Sequence, residues 1–375
     1  MDEELNLFTD KMKNIYVKFE YLEEAKEELE NLISLLEIDK KEVKDILIYD
    51  EIKANNLVEG YNDNLDFIEN TLENNKKKKN ANTEKEQRIL NLYHGYNYIL
   101  RNSDINKENL KKLYDILSRN LLIPYDLEHM GKYYREDKVL IYTSSNVAKE
   151  PEEGFDFRII DYYMNKLIEF INEDHKFMQD SDYFIKSQII HFYFVYIHPY
   201  FDVNGRTSRT LSMWYLLNKE KYPFILFNQG INYHKNLYYT SIMEAKKYGN
   251  ITIFIKYMLK IIKEELEKEY AILEIKKNNI EITASERQAI NYLLTMKNNY
   301  TVKDFYTFYR RYNEFKSLRE VHEQILKNLI EKDIIKYQRD TNNGLYDEKN
   351  NYVFTLNEDI FENYYKLVKK NQKNS

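Results

Sequence analysis

His198-Pro199-Tyr200-Phe201-Asp202-Val203-Asn204-Gly205-Arg206-Thr207-Ser208-Arg209 stands between two apolar stretches, and its punctuation predicts a helix, a tight loop and a second helix. Upstream, Ile185, Ile189, Phe192 and Tyr196 recur at intervals of four, three and four, the spacing of a buried helical face. Pro199 cannot continue that helix. Downstream, Leu211, Trp214 and Leu217 resume the period, so the next helix opens near Arg206 and Arg209. Free N–H groups around Asn204, Gly205 and Arg206 then point out of a helix N-terminus, where the dipole also favours an anion. Arg206 and Arg209 lie three apart on one face, so both guanidiniums can grip adjacent phosphates. Asp202 supplies a hard oxygen, and Mg²⁺ bound near phosphates takes one or two protein carboxylates. His198, with an ordinary pKa of about 6.5, suits the deprotonation of an attacking hydroxyl. Together these groups describe nucleotidyl or phosphoryl transfer. His191, inside the aromatic helix, reads as a core histidine.

Composition narrows what the stretch can belong to. A chain of 375 residues, 43% of them hydrophobic, is long enough for two or three domains with a sizeable core. The absence of cysteine excludes disulfides, thiol nucleophiles and the usual structural zinc sites. A net charge of −6 gives no global attraction to nucleic acid or anionic lipid. No apolar run of about 18 residues predicts a membrane span, and the acidic start MDEELNLFTDK predicts no exported leader. A cytoplasmic location is the resulting expectation. The abundance of Lys, Asn, Ile and Tyr follows A/T-rich codons and is read as genomic bias.

Sparse Gly and Pro, with apolar residues every three or four positions, predict a mainly α protein in three parts. Residues 1–83 carry amphipathic patterns such as Leu29, Leu32, Ile33 and Leu36, and the run Lys76 to Lys79 reads as a solvated loop. Residues 84–270 form one helical domain, interrupted near 131–155. There Tyr133-Tyr134-Arg135 and Val139-Leu140-Ile141-Tyr142 flank Glu136-Asp137-Lys138 as a short hairpin. Phe224 to Phe227 is either a strand or a buried loop. Residues 282–375 begin with two capping-box patterns, Ser285 to Gln288 and Ser317 to Glu320, with a shorter helix between them. Ile334 to Tyr337, the turn Asn342-Asn343-Gly344 and Tyr352 to Phe354 then read as a hairpin. Three helices and a hairpin make a winged helix-turn-helix. Residues 297–340 hold ten Lys/Arg against seven Asp/Glu, and Glu320, Glu323 and Glu331 cancel Arg319, Lys327 and Lys332 on the helix that would enter a groove. Packing or partner docking is therefore favoured over DNA binding there.

The His198–Arg209 stretch resembles the signature of the Fic family: His-Pro-Phe, a free position, Asp or Glu, Gly-Asn-Gly-Arg, two free positions, Arg. His198, Pro199, Asp202, Asn204, Gly205, Arg206 and Arg209 match it. Tyr200 replaces Phe and keeps the anchoring ring. Val203 replaces Gly, and a positive φ there would strain a β-branched residue. The resemblance extends over roughly residues 50–265. The hairpin is similar to the family's flap, whose edge holds a target segment by strand addition. Tyr238-Tyr239 and Gly249 to Leu259 resemble its later helices. Asn55-Asn56-Leu57-Val58-Glu59-Gly60 resembles the family's inhibitory helix, which carries Ser or Thr, three free residues, then Glu and Gly or Asn. Asn55 stands in the hydroxyl position.

The resemblance implies a Fic helical bundle with a hairpin flap that transfers AMP from Mg·ATP to a Ser, Thr or Tyr hydroxyl of a target protein or of itself. By it, His198 is the base, Asp202 holds the metal, and Asn204 with the loop amides of Gly205 holds the α-phosphate. Arg206 and Arg209 hold the leaving pyrophosphate, and Glu59 pairs with Arg209 and denies it to ATP. A homodimer would fit the helical surface. Two other readings stand beside this one: transfer of phosphate or phosphocholine on the same fold, and a DNA-binding regulator whose central domain senses nucleotide.

Overall fold

The computed structural model describes residues 15–36, 45–142, 151–173, 182–219, 227–296, 300–313, 317–339 and 352–373. They gather into two compact units, Met1–Tyr61 with Ile68–Glu264, and Asn62–Phe67 with Glu265–Ser375. The chain is mainly helical. In order it runs through α1 (Glu23–Leu36), α2 (Asp45–Val58), α3 (Leu65–Lys76), α4 (Glu84–Ile99), α5 (Lys107–Ser118) and α6 (Pro124–Glu128). The strands β1 (Leu140–Ile141) and β2 (Glu152–Glu153) follow, then α7 (Phe157–Asn172), α8 (Asp182–Ile197), α9 (Asn204–Leu217), α10 (Phe227–Tyr233), α11 (Lys235–Tyr248) and α12 (Thr252–Lys277). Among the described residues no helix is long and apolar enough to cross a membrane.

The first unit is built around α8, which is apolar around its whole circumference: Phe184, Ile185, Ile189, Ile190, Phe192 and Phe194 are all at most 2% exposed. A helix hydrophobic on every side needs neighbours on every side. α7 and α9 pack against it, α5 packs on α4 and α9, and α2 packs between α4 and α10. The amphipathic pattern near the N-terminus appears as α1, with Leu29, Leu32 and Leu36 buried. Lys77, Lys78 and Lys79 lie in an exposed turn after α3, as expected of a solvated run.

The hairpin differs from its expected pairing. Leu140 pairs with Glu153 and Ile141 with Glu152, antiparallel, so the second strand lies downstream of residues 143–150. Tyr133-Tyr134-Arg135 makes only an isolated bridge, Met130 to Arg135. Tyr134 and Arg135 are buried, and Arg135 is committed to other partners described below. Residues 221–226, which include most of the strand candidate after Pro223, lie outside the described residues; Phe227 begins α10.

The second unit holds α13 (Ala284–Met296), β3 (Tyr300–Thr301), α14 (Val302–Tyr312), α15 (Leu318–Val321), a π-helical turn (His322–Leu326), α16 (Lys327–Glu331), β4 (Ile335–Arg339), β5 (Tyr352–Leu356) and α17 (Glu362–Lys373). The sheet order is β3-β5-β4, antiparallel throughout. The capping box at Ser317 and Glu320 is present. The one expected at Ser285 is shifted: Thr283 accepts from the Glu286 N–H while Glu286 accepts from Thr283, because the same hydroxyl-to-carboxylate spacing occurs two residues earlier. A third box, Thr301 with Asp304, opens α14, and the two-residue strand β3 before it was not legible as a strand. The expected turn at Asn342 to Gly344 lies outside the described residues.

Candidate active site

α8 ends at Ile197, two residues before Pro199, and α9 begins at Asn204. The loop between them turns through two left-handed residues, His198 at φ 52° and Val203 at φ 64°. Tyr200 anchors it: the ring is fully buried and stacks on Tyr114 with centroids 3.5 Å apart. Asn204 braces it, its Oδ1 accepting from the Tyr200 N–H at 3.1 Å and its Nδ2 donating to the Tyr200 carbonyl at 2.8 Å. That side chain is therefore spent on the loop, and any phosphate contact by Asn204 runs through its backbone N–H. Val203 is the N-cap residue and offers no side-chain bond, so the first amides of α9 point outward uncapped.

The loop borders a cavity of about 930 Å³ whose wall includes Glu59, His198, Asp202, Asn204, Gly205 and Arg209. Burial pushes the His198 imidazole down to about 3, with Lys246 and Arg135 adding to the effect and the Val195 backbone and Glu59 opposing it. The ring is thus neutral at pH 7, and at about 3 it binds a proton more weakly than a free imidazole. Asp202 Oδ1 accepts from the Val203 N–H at 2.6 Å, while Oδ2 lies 3.7 Å from Arg206 Nη2 on a side chain that is 61% exposed. One carboxylate oxygen is left for a hard cation. Arg206 does not line the cavity; it is buried, and its Nε has no partner among the described residues.

Arg209 is also buried, and its Nη2 donates to Glu59 Oε1 at 2.6 Å. Glu59 reaches it because α2 closes in a Schellman motif: the Gly60 N–H bonds to the Leu57 carbonyl, the Tyr61 N–H bonds to the Asn56 carbonyl, and Gly60 takes φ 93°. Glu59 then sits at the helix C-cap, where the dipole disfavours an anion. Burial raises its carboxyl pKa, but Arg209, Arg206 and Lys235 together outweigh that and hold it below the usual carboxylate range. A Cβ on Gly205 would lie 2.8 Å from Glu59 Oε1 and 3.1 Å from Arg209 Nη1, so only glycine admits this approach. The carboxylate occupies the place against Gly205 and Arg209 that the sequence assigns to a phosphate.

Arg135 and Lys246 gain partners that the sequence did not signal, and Asn55, already singled out at the hydroxyl position, gains one as well. Arg135 ties the flap to the loop, its Nε donating to the His198 carbonyl at 3.0 Å and its Nη groups to the carbonyls of Asp137 and Phe155. Its own N–H bonds to the Pro199 carbonyl. Lys246 on α11 pairs with Glu152 of β2 at 3.0 Å. Asn55 Oδ1 accepts from Arg209 Nε and Nη2 at 3.2 and 2.6 Å. His191 is a core residue, as expected: fully buried, its Nε2 2.9 Å from the Tyr238 hydroxyl, and pushed by burial to about 3.

The chain is similar to known proteins in sequence and in fold. The Fic/DOC family model matches residues 104–216. Two curated relatives, each described as "Protein adenylyltransferase Fic", come from Aedes aegypti and Culex quinquefasciatus and are 28% and 26% identical over 156 residues. Each match covers 41% of this chain and 28% of the relative. The fold is similar to a Fic family protein from Desulfovibrio desulfuricans G20 (TM-score 0.55, 15% identity, 89% of this chain and 95% of that one). It is also similar to a Fic domain containing signaling protein from Bacteroides thetaiotaomicron (TM-score 0.53, 17% identity, 69% and 98%) and to Fic-1 from C. elegans (TM-score 0.51, 12% identity, 68% and 74%). The helix-loop-helix around His198, the flap and these matches agree that the chain carries a Fic/DOC-family domain.

Proposed function

We propose that this protein is an autoinhibited adenylyltransferase that moves AMP from Mg·ATP to a hydroxyl of a protein. The observation that carries the reading is the Glu59 carboxylate, an anion held between Gly205 at the α9 N-terminus and Arg209, in the same cavity as His198 and Asp202. With Glu59 withdrawn, that place is open to phosphate. The amides of Asn204 and Gly205 hold the α-phosphate, and Arg206 and Arg209 hold the β- and γ-phosphates. Asp202 would hold the Mg²⁺ that accompanies the nucleotide, and that ion neutralises charge on the phosphate oxygens. His198, neutral and fixed by its backbone bonds to Phe194 and Arg135, takes the proton of the target hydroxyl. The hydroxyl oxygen bonds to the α-phosphorus as the bond to the pyrophosphate oxygen breaks.

The description of the two curated relatives as adenylyltransferases supports AMP as the group transferred. The exposed edge of the flap, with Leu140 53% and Tyr142 74% exposed, supports docking of an extended target segment beside it. The helices and three-stranded sheet of the second unit support a winged-helix reading, and its cancelled charges favour a docking role over DNA. Incubation with ATP labelled at the α-phosphate tests the proposal. Label is expected on protein with Glu59→Gly and not with Glu59→Gly/His198→Ala. No label on the chain or on lysate protein with Glu59→Gly would overturn it, and label from the γ-position alone would point to phosphate transfer.

A further inference from the structure

Arg209 is gripped from the protein side as well as from the cavity. Its Nε and Nη2 both donate to Asn55 Oδ1, at 3.2 and 2.6 Å, and Asn55 Nδ2 donates to the Tyr96 hydroxyl at 2.8 Å. The chemistry fixes the orientation of the amide, because a guanidinium has only donors and must meet the oxygen, which leaves the nitrogen to an acceptor. Asn55 and Tyr96 are fully buried and Arg209 is 1% exposed. A guanidinium bonded through two nitrogens to one buried oxygen cannot rotate freely about its last bonds. Its Nη1 edge is left facing Gly205.

Asn55 and Glu59 are four residues apart, on one face of α2, yet they meet Arg209 differently. Glu59 is 27% exposed on its side chain and lines the cavity; Asn55 is sealed in the core beside Tyr96. Removing Glu59 takes away the contact at the cavity end and leaves the Asn55 bonds intact. We infer that Asn55 is a positioning residue for the productive state: with Glu59 withdrawn, the Asn55–Tyr96 pair holds Arg209 in the orientation that receives the triphosphate. One helix would then carry a support and a block for the same arginine, one turn apart. The inference rests on the proposal that Arg209 binds nucleotide. Its contrary makes Asn55 the second half of the inhibitory contact, so that its loss would release Arg209 and raise transfer.

The two differ in sign. In the full-length chain, Asn55→Ala on the Glu59→Gly background is expected to raise KM for Mg·ATP, and its Kd by calorimetry, about ten-fold, because an arginine freed from both Asn55 bonds must be ordered when the nucleotide binds. The rate constant kcat should change much less, a split that general loosening of the fold would not produce. With Glu59 intact, Asn55→Ala is expected to leave transfer at or below its starting level. Tyr96→Phe on the Glu59→Gly background keeps the buried ring and removes the acceptor, and should shift KM and Kd in the same direction by less. Equal Kd values for Glu59→Gly with and without Asn55→Ala would overturn the inference, as would Asn55→Ala alone raising transfer toward the Glu59→Gly level. Because Kd needs no turnover, it decides the matter even where Glu59→Gly transfers no label, an outcome that would sink AMP transfer separately. Where Asn55→Ala does not fold, an unchanged Kd with Tyr96→Phe overturns the inference.

Discussion

Replacing Glu59 by glycine sets activity and stability against each other, and the structure supplies both magnitudes. The 2.6 Å bond from Arg209 Nη2 to Glu59 Oε1 is charge-assisted and competes with the nucleotide for one donor. Such a bond contributes roughly 1.5–3 kcal/mol. At about 1.4 kcal/mol per ten-fold, freeing it should raise AMP transfer at limiting ATP about ten- to a hundred-fold. On the stability side, removing one partner of a buried ion pair costs about 3–5 kcal/mol when the other is left stranded. Arg209 is not stranded, because Asn55 keeps two bonds to it, and losing an anion from the α2 C-terminus returns about 0.3–1 kcal/mol. A net loss of about 1–3 kcal/mol remains, which at about 2–4 °C per kcal/mol lowers the melting temperature by several degrees. Labelled-ATP incorporation and thermal unfolding on the same preparations read the two effects, with Glu59→Gln, which keeps the volume without the charge, expected between the extremes. Unchanged transfer, or a rise in melting temperature together with a rise in transfer, would refute the reasoning.

The remaining expectations follow from particular side chains. His198 and His191, both held at about 3, are neutral when folded and protonate near about 6.5 when unfolded. Stability is therefore fully present above about 6.5 and falls as the pH drops toward 3, while kcat of the Glu59→Gly protein shows no acid limb between pH 5 and 8; an inflection near 6.5 would mean that His198 titrates normally. Tyr200→Phe removes a buried hydroxyl that has no partner among the described residues, so stability should stay level or rise by up to about 1–3 kcal/mol, read as a level or higher melting temperature; a fall would reveal a partner for it. Val203→Gly relieves a left-handed cost of about 1–2 kcal/mol but gives up a side chain that is 2% exposed, worth about 1.5–3 kcal/mol, and adds about 0.5–1 kcal/mol of chain entropy. Slight destabilisation is expected, and clear stabilisation in calorimetry would show that strain dominates.

Local chemistry was legible without coordinates wherever it depends on neighbours in the chain. Pro199 ends α8, the apolar period of α9 follows, and the spacing of His198, Asp202, Gly205, Arg206 and Arg209 marks an anion site at a helix start. Glu59-Gly60 was picked out by its likeness to the inhibitory pattern; the chain itself says only that a glycine in the left-handed region ends a helix and leaves its predecessor at the C-cap. The flap was half legible: β1 was placed, but its partner lay beyond a ten-residue connection, and alternation alone does not say which segment pairs with which. Tertiary packing decided the rest. Nothing in the sequence near Arg135 says that its guanidinium will bridge Asp137, Phe155 and the His198 carbonyl, nor that His198 will be buried enough to stay neutral. Asn55, at 154 positions from Arg209, read as a hydrogen-bonding group in place of a hydroxyl; only the fold supplies its partner, the arginine it holds by two bonds. Periodicity and punctuation report on the local chain, whereas pairing partners and desolvation arise only when distant segments meet in one core.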